Sequence, residues 1–216
     1  MKLKLLMTGL LLAPLIGTTP THAEIPYQLR PLREIKECLN LRCNLRGADL
    51  RGADFSGQRM MHSDLMRANL TNSNFVNADL TRANLTDSSL AGANLSGATL
   101  WGATLRAASM EGATLRNADL KYASLDSANL SGADFSGANL TVAQLRHAIL
   151  VNANFSGANL RDADLTLANL KGANFSGADL RGAKFRNAEW DKITVCRTIG
   201  PNGKVSNRDC PSSGQN

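Results

Sequence analysis

Histidine is scarce in this chain, aromatics make up only 5% of it, and acid is nowhere in excess. Each shortage removes a class of function. Of the three histidines, His22 lies near the start, and His62 and His147 are far apart in the chain. No Ser–His–Asp set, pair of catalytic carboxylates or metal cluster can be built around them. The expectation is a non-enzymatic protein without a cofactor or metal. The 24 basic residues outnumber 18 acidic ones, giving a formal net charge of +6. The surplus gathers at the two ends and forms no continuous stripe to face phosphates, so no nucleic-acid partner is expected. Only one apolar run stands out, Leu5 to Ile16. It falls short of the ~20 residues that span a bilayer.

That run follows Lys2 and Lys4 and precedes Thr21-His22-Ala23. Basic start, apolar middle and small-residue end describe a secretory signal over 1–23, removed on export. The mature protein is then expected in a periplasm, lumen or extracellular space, with no stable membrane insertion.

What is abundant is order. From Leu45 to Trp190 every fifth residue is large and apolar, through Leu50, Phe55, Met60, Leu65 and on to Leu180 and Phe185. Two places before each centre from Leu50 onward stands a small residue, nearly always Ala; Gln58, Ser63, Ser73 and Ser88 depart from this. Asp or Asn usually stands just before the centre, as in Ala78-Asp79-Leu80. A helix repeats every ~3.6 residues and a strand every two, so a period of five fits neither. It describes a chain that turns a corner every five residues and stacks on itself as a solenoid. Centres and alanines point inward. Glycines such as Gly92, Gly97 and Gly132 belong to the corners, where positive φ is needed. The recurrent Asp and Asn serve those corners by bonding nearby backbone.

The phenylalanines count the sides. Phe55, Phe75, Phe135, Phe155 and Phe175 differ by multiples of twenty, and Phe185 is out of phase. Four fives per coil stack these rings in one column, giving about seven coils and a tower of roughly 35 Å. The tandem motif over about 43–192 resembles the pentapeptide-repeat family, whose signature is A(D/N)LXX. The resemblance implies an all-β solenoid, a right-handed quadrilateral β-helix with four pentapeptides per coil. Some members of that family mimic DNA with an acidic surface; export and the lack of negative charge argue against that here. Distortion is expected at Gln58, where a long amide replaces the inward Ala, and around Gln144 to Val151.

The ends complete the plan. Segment 24–42 is expected to cap the first coil, with a short helix from Pro31 to Leu39 that shares Leu32, Ile35 and Leu39 on one face. Segment 193–216 is expected to cap the last coil as a hairpin, Ile193 to Arg197 and Lys204 to Asn207 flanking Gly200-Pro201-Asn202-Gly203. Four cysteines in an exported chain suggest disulfides. Pairing between the ends would span the tower, whereas bonded Cα atoms must lie within ~7 Å. Cys196 therefore pairs with Cys210. Cys38 and Cys43 either bond to each other or sit as buried thiols at successive corners.

Wall by wall, two surfaces stand out. The Phe wall carries Ser56, Ser96, Ser136, Ser156 and Ser176 followed by glycines, flat enough to meet a second copy in a homo-oligomer or simply a product of corner geometry. On the wall centred on Met60, Leu80, Leu100, Leu120, Leu140, Leu160 and Leu180, Trp101 and Lys121 fall on successive coils, with Tyr122 alongside and Arg161 and Arg181 further up. Exposed aromatics beside cations are interface material, and these five residues are the candidate partner surface. Val142, Ile149, Val151 and Leu167, within about one coil of each other but on different walls, form a second, apolar candidate or simply pack locally against a bent corner. The expected function is presentation of a rigid wall to a protein partner. The alternative is binding of an extended glycan or cell-wall strand, for which two aromatics make a thin platform.

Overall fold

The computed structural model describes residues 43–211. The expected signal segment 1–23, the capping segment 24–42 with its helix, and Cys38 lie outside these residues.

Each apolar centre opens a four-residue turn. The amide three places on donates back to the centre's carbonyl, as Ala68 N–H does to Leu65 O at 3.0 Å. The third turn residue adopts the left-handed conformation, with φ between 53° and 71° through the solenoid. The chain therefore turns a corner every five residues, and it meets itself after twenty. Parallel bridges join Asn44 to Asp64, Asp49 to Asn69, and so on without a slip to Asp179 and Ile199. Each contact is a single bridged residue between corners, so continuous strands are nearly absent. The result is a four-sided shaft with one layer per twenty residues.

The interior is filled as the pattern requires. Centres from Leu45 to Leu180 and the alanines from Ala68 to Ala183 are buried. The Phe column is real: Phe135, Phe155 and Phe175 stack with centroids 4.9 and 5.0 Å apart, and Phe55 stacks on Phe75 at 4.9 Å. Ser73 and Ser88 fit alanine sites by donating their hydroxyls to the carbonyls of Leu70 and Leu85. Ser63 occupies the same kind of site without a partner for its hydroxyl among the described residues.

Asp and Asn do the corner work. Their Oδ1 accepts the amide two residues on, as in Asn94 to Ser96 and Asp134 to Ser136. Asn also donates its amide to the carboxyl or carbonyl one layer below, as in Asn84 to Asp64 and Asn154 to Asp134. At left-handed corners, asparagine imposes a second rule. A Cβ on Gly92, Gly97, Gly137 or Gly172 would collide with Oδ1 of the Asn one layer below. Asn beneath therefore favours Gly above, since any Cβ there would force the Asn side chain to turn away.

Three expectations fail locally. No bulge forms at Gln58: Gln58 N–H donates to Phe55 O at 3.0 Å, and Arg59 bridges Asp79 in register. Gln58 lies in the first described layer, where the inward alanines Ala48 and Ala53 are themselves only half-buried. Around Gln144 the ladder also holds. The corner amide of Arg146, which a shorter Asp or Asn would cap, is taken by Asp126 from the layer below at 3.0 Å. Trp190, expected as an inward centre, is 38% exposed and leans on Phe185 with centroids 4.3 Å apart. No described strand lies above it to close the layer.

The hairpin is also displaced. Residues 193–197 continue the solenoid, with Thr194 bridging Asn174. The hairpin strands are β1, Thr198–Ile199, and β2, Val205–Ser206, paired antiparallel. Beyond β2, Asn207-Arg208-Asp209 imitates one further layer with side chains. Asp209 Oδ2 accepts Val195 N–H at 2.8 Å, Asn207 Oδ1 accepts Arg197 N–H at 3.2 Å, and Arg208 donates to Ile193 O at 2.7 Å. The Cys196–Cys210 disulfide, with Cα atoms 4.6 Å apart, ties this tripeptide to the wall it covers. Cys43 is buried and is not a free thiol.

Two outcomes follow. Gly132→Ala meets open space and should cost only the left-handed penalty of ~1–2 kcal/mol, since Ala107 already tolerates φ of 53°. Gly97→Ala should cost visibly more in equilibrium denaturation, and Asn77→Gly should remove the excess. The Asp209 carboxyl is held below the usual range by its bond to Arg208 and then by the Val195 amide. Its contribution is therefore complete above pH ~3.9 and is lost as pH falls through the lowered value. The Val195 amide resonance should titrate in that acid window, and Asp209→Ala should abolish the titration.

Candidate protein-interaction surface

Because layers repeat every twenty residues, the two residues after each centre form outward columns. On the wall centred on Leu100, one column runs Trp101, Lys121, Thr141, Arg161, Arg181. The column beside it runs Arg82, Gly102, Tyr122, Val142, Asp162. Gly102 leaves the second column open one layer below Tyr122. There Trp101 and Tyr122 meet edge to face, centroids 5.7 Å apart and planes at 81°.

Two cations lie on these rings. Arg82 sits 5.0 Å above the Trp101 ring, and Lys121 sits 5.0 Å from the Tyr122 centroid. Contacts of this kind contribute about 0.5–1 kcal/mol at exposed sites. They also fix the heads of two otherwise mobile side chains. Neither cation forms an ion pair with a described carboxylate within 4 Å.

Of the five expected residues, Trp101, Lys121 and Tyr122 come together. Arg161 and Arg181 share their column but stand two and three layers above Lys121, outside the cluster. Arg181 is paired with Asp179, and the hydrogen bond between them lowers the carboxyl's pKa and raises the guanidinium's. One member escaped notice, Arg82, which the spacing of 82, 102, 122 and 142 could have found, and Val142 had been placed in the apolar candidate instead. Val142 lies one layer directly above Tyr122 and joins this cluster. The other members of the apolar candidate lie on different walls, as expected, Leu167 on the neighbouring wall and Ile149 at a bridging position on a third.

Tyr122 and Val142 are among eighteen non-glycine residues with positive φ among the described residues. Tyr122, at φ of 62°, and Val142, at 59°, occupy left-handed corners. These positions favour Gly, Asn or Asp, and a β-branched residue there is strained. Both are also exposed, Tyr122 by 48% and Val142 by 39%. Tyr122 offsets part of that strain through its contacts with Trp101 and Lys121. His62 and His147 are corner residues of the same type. Among the described residues no group of three or more His, Cys, Asp or Glu converges to hold a metal, and no helix is long and apolar enough to cross a membrane.

The family model for pentapeptide repeats matches in eight copies over 42–65, 63–102, 102–137, 138–177 and 148–187. The chain belongs to the pentapeptide-repeat family. Among solved pentapeptide-repeat structures it is similar to HetL, a protein involved in heterocyst differentiation regulation from the cyanobacterium Nostoc sp. strain PCC 7120. The two share 29% identity with a TM-score of 0.53, over 82% of this chain and 98% of that one. A trypsin-treated form of QnrB1, a plasmid-mediated fluoroquinolone resistance protein, shares the fold. It has 21% identity and a TM-score of 0.53, over 78% of this chain and 88% of that one. No curated protein matches the chain.

Replacing Val142 by Gly should relieve the strained corner and raise stability by roughly 0.5–1 kcal/mol, measured by denaturant unfolding. A loss of stability would mean that Val142 packs into the fold.

Proposed function

We propose that this pentapeptide-repeat protein is an exported, non-enzymatic scaffold that offers the wall of Arg82, Trp101, Lys121, Tyr122 and Val142 to a protein partner. The carrying observation is the Trp101–Tyr122 edge-to-face pair with Arg82 and Lys121 on its rings, aromatic and cationic groups gathered at one place on the wall. A rigid shaft adds to the case, because a preformed surface loses little entropy on binding.

The finer architecture belongs to the same reading. The shaft is a right-handed quadrilateral β-helix of about seven coils, capped at its end by the disulfide-tied hairpin. The signal segment 1–23 directs it to a periplasm, lumen or extracellular space. The glycan alternative is weaker because Arg82 and Lys121 already lie on the ring faces a sugar would stack against.

Affinity capture from a native extract tests the wall. Trp101→Ala and Tyr122→Ala together should reduce recovery of the specific partner by about tenfold or more, the effect of losing an aromatic anchor. Capture of the same proteins in the same amounts would sink the proposal, and recovery of glycan without protein would favour the alternative.

A further inference from the structure

We infer that the partner segment on this wall is acidic: an extended stretch of another protein whose Asp or Glu carboxylates meet Arg82 and Lys121 while an apolar side chain covers Tyr122 and Val142. The inference rests on the interaction reading above and assigns the chemistry of that partner.

The wall's own acids are committed elsewhere. Asp79 accepts the Thr81 amide at 3.0 Å, and Asp119 accepts both the Lys121 amide and Asn139 Nδ2, at 3.2 and 2.9 Å. Asp179 holds Arg181. Arg82 and Lys121 have no such partner among the described carboxylates, and Arg106 on the neighbouring wall and Arg161 above lie in no ion pair either. A cation resting on a ring has part of its ordering cost met before it binds, and its far side faces solvent. Arg82 can grip a carboxylate bidentately, and Lys121 can meet one as a point charge. Asp162, one layer above Val142, repels acid and sets the upper limit of the footprint. The exposed Val142 and Tyr122 edge suit an apolar side chain better than a polyanionic glycan. The four cations in these two columns, Arg181 among them paired with Asp179, are too few for nucleic acid, whose affinity grows with each phosphate neutralised.

A zero-length carbodiimide reads this chemistry directly, since it condenses an amine with a carboxylate and takes up the lost water itself. The full mature protein would be treated with it in a native extract. A parallel arm would use an amine-to-amine crosslinker. Tyr122→Asn and Val142→Gly are the controls, both suited to left-handed corners and checked for folding by circular dichroism. The expected product joins Lys121 Nζ to an Asp or Glu of another protein. Its yield should fall about tenfold or more in the double variant, and steeply as salt is raised. If the amine-to-amine reagent captures a partner that depends on Tyr122 while the carbodiimide does not, the interaction reading survives and the acidic partner is wrong. If neither reagent gives a product that depends on Tyr122, both fall. Condensation with a uronic acid, or with a carboxylate of a second copy of this chain, would replace the acidic protein segment with a glycan or with self-association.

Discussion

Everything in this molecule depends on the left-handed residue that ends each side. Its positive φ turns the chain, and its N–H points along the shaft to bond the carbonyl of the next layer. Gly97 bonds Arg116 and Gly132 bonds Val151 in this way. One backbone conformation thus sets both the corner and the stacking. The apolar centres follow from it, since four corners per layer leave an inside wide enough for four large side chains and their alanines. So does the Asp and Asn ladder, because each corner frees an amide that the preceding side chain must satisfy.

Much of this was legible in the sequence. A strict five-residue period admits one kind of path, and the spacing of Phe55, Phe75, Phe135, Phe155 and Phe175 counts the sides. What escaped depended on neighbours twenty residues away rather than on local pattern. Gln58 reads as an intruder in its own pentapeptide but fits because its layer is the first. Arg146 looks uncapped after Gln144 until Asp126 appears below it. Trp190 obeys the register yet emerges, since a centre is buried only when a layer closes over it. The expected first hairpin strand, 193–197, is really solenoid, because register outweighed the turn signal of Gly200-Pro201-Asn202-Gly203.

The candidate surface divides the same way. Trp101, Lys121 and Tyr122 were legible because the wall assignment made them neighbours. Arg161 and Arg181 were grouped with them by column alone, and height along the shaft separates them. Val142 was legible as an exposed apolar residue, but Arg82, and the tie between it and Val142, were visible only by reading the adjacent column at the same spacing. Both ring faces carry a cation, a fact that no sequence pattern encodes and that weakens the case for sugar stacking.

The unbroken offset of twenty has a bearing on how such a chain can change length. Gain or loss of a whole layer leaves every remaining column intact, so Tyr122 and Val142 would keep their mutual placement and the terminal hairpin its bearing. Gain of one or two pentapeptides alone would rotate everything beyond it by one or two sides. A cluster spread over four layers would then be split between faces, and Asn residues would meet corners without glycine. Duplication in units of twenty therefore preserves the columns, whereas slippage by five disturbs both the walls and the corners.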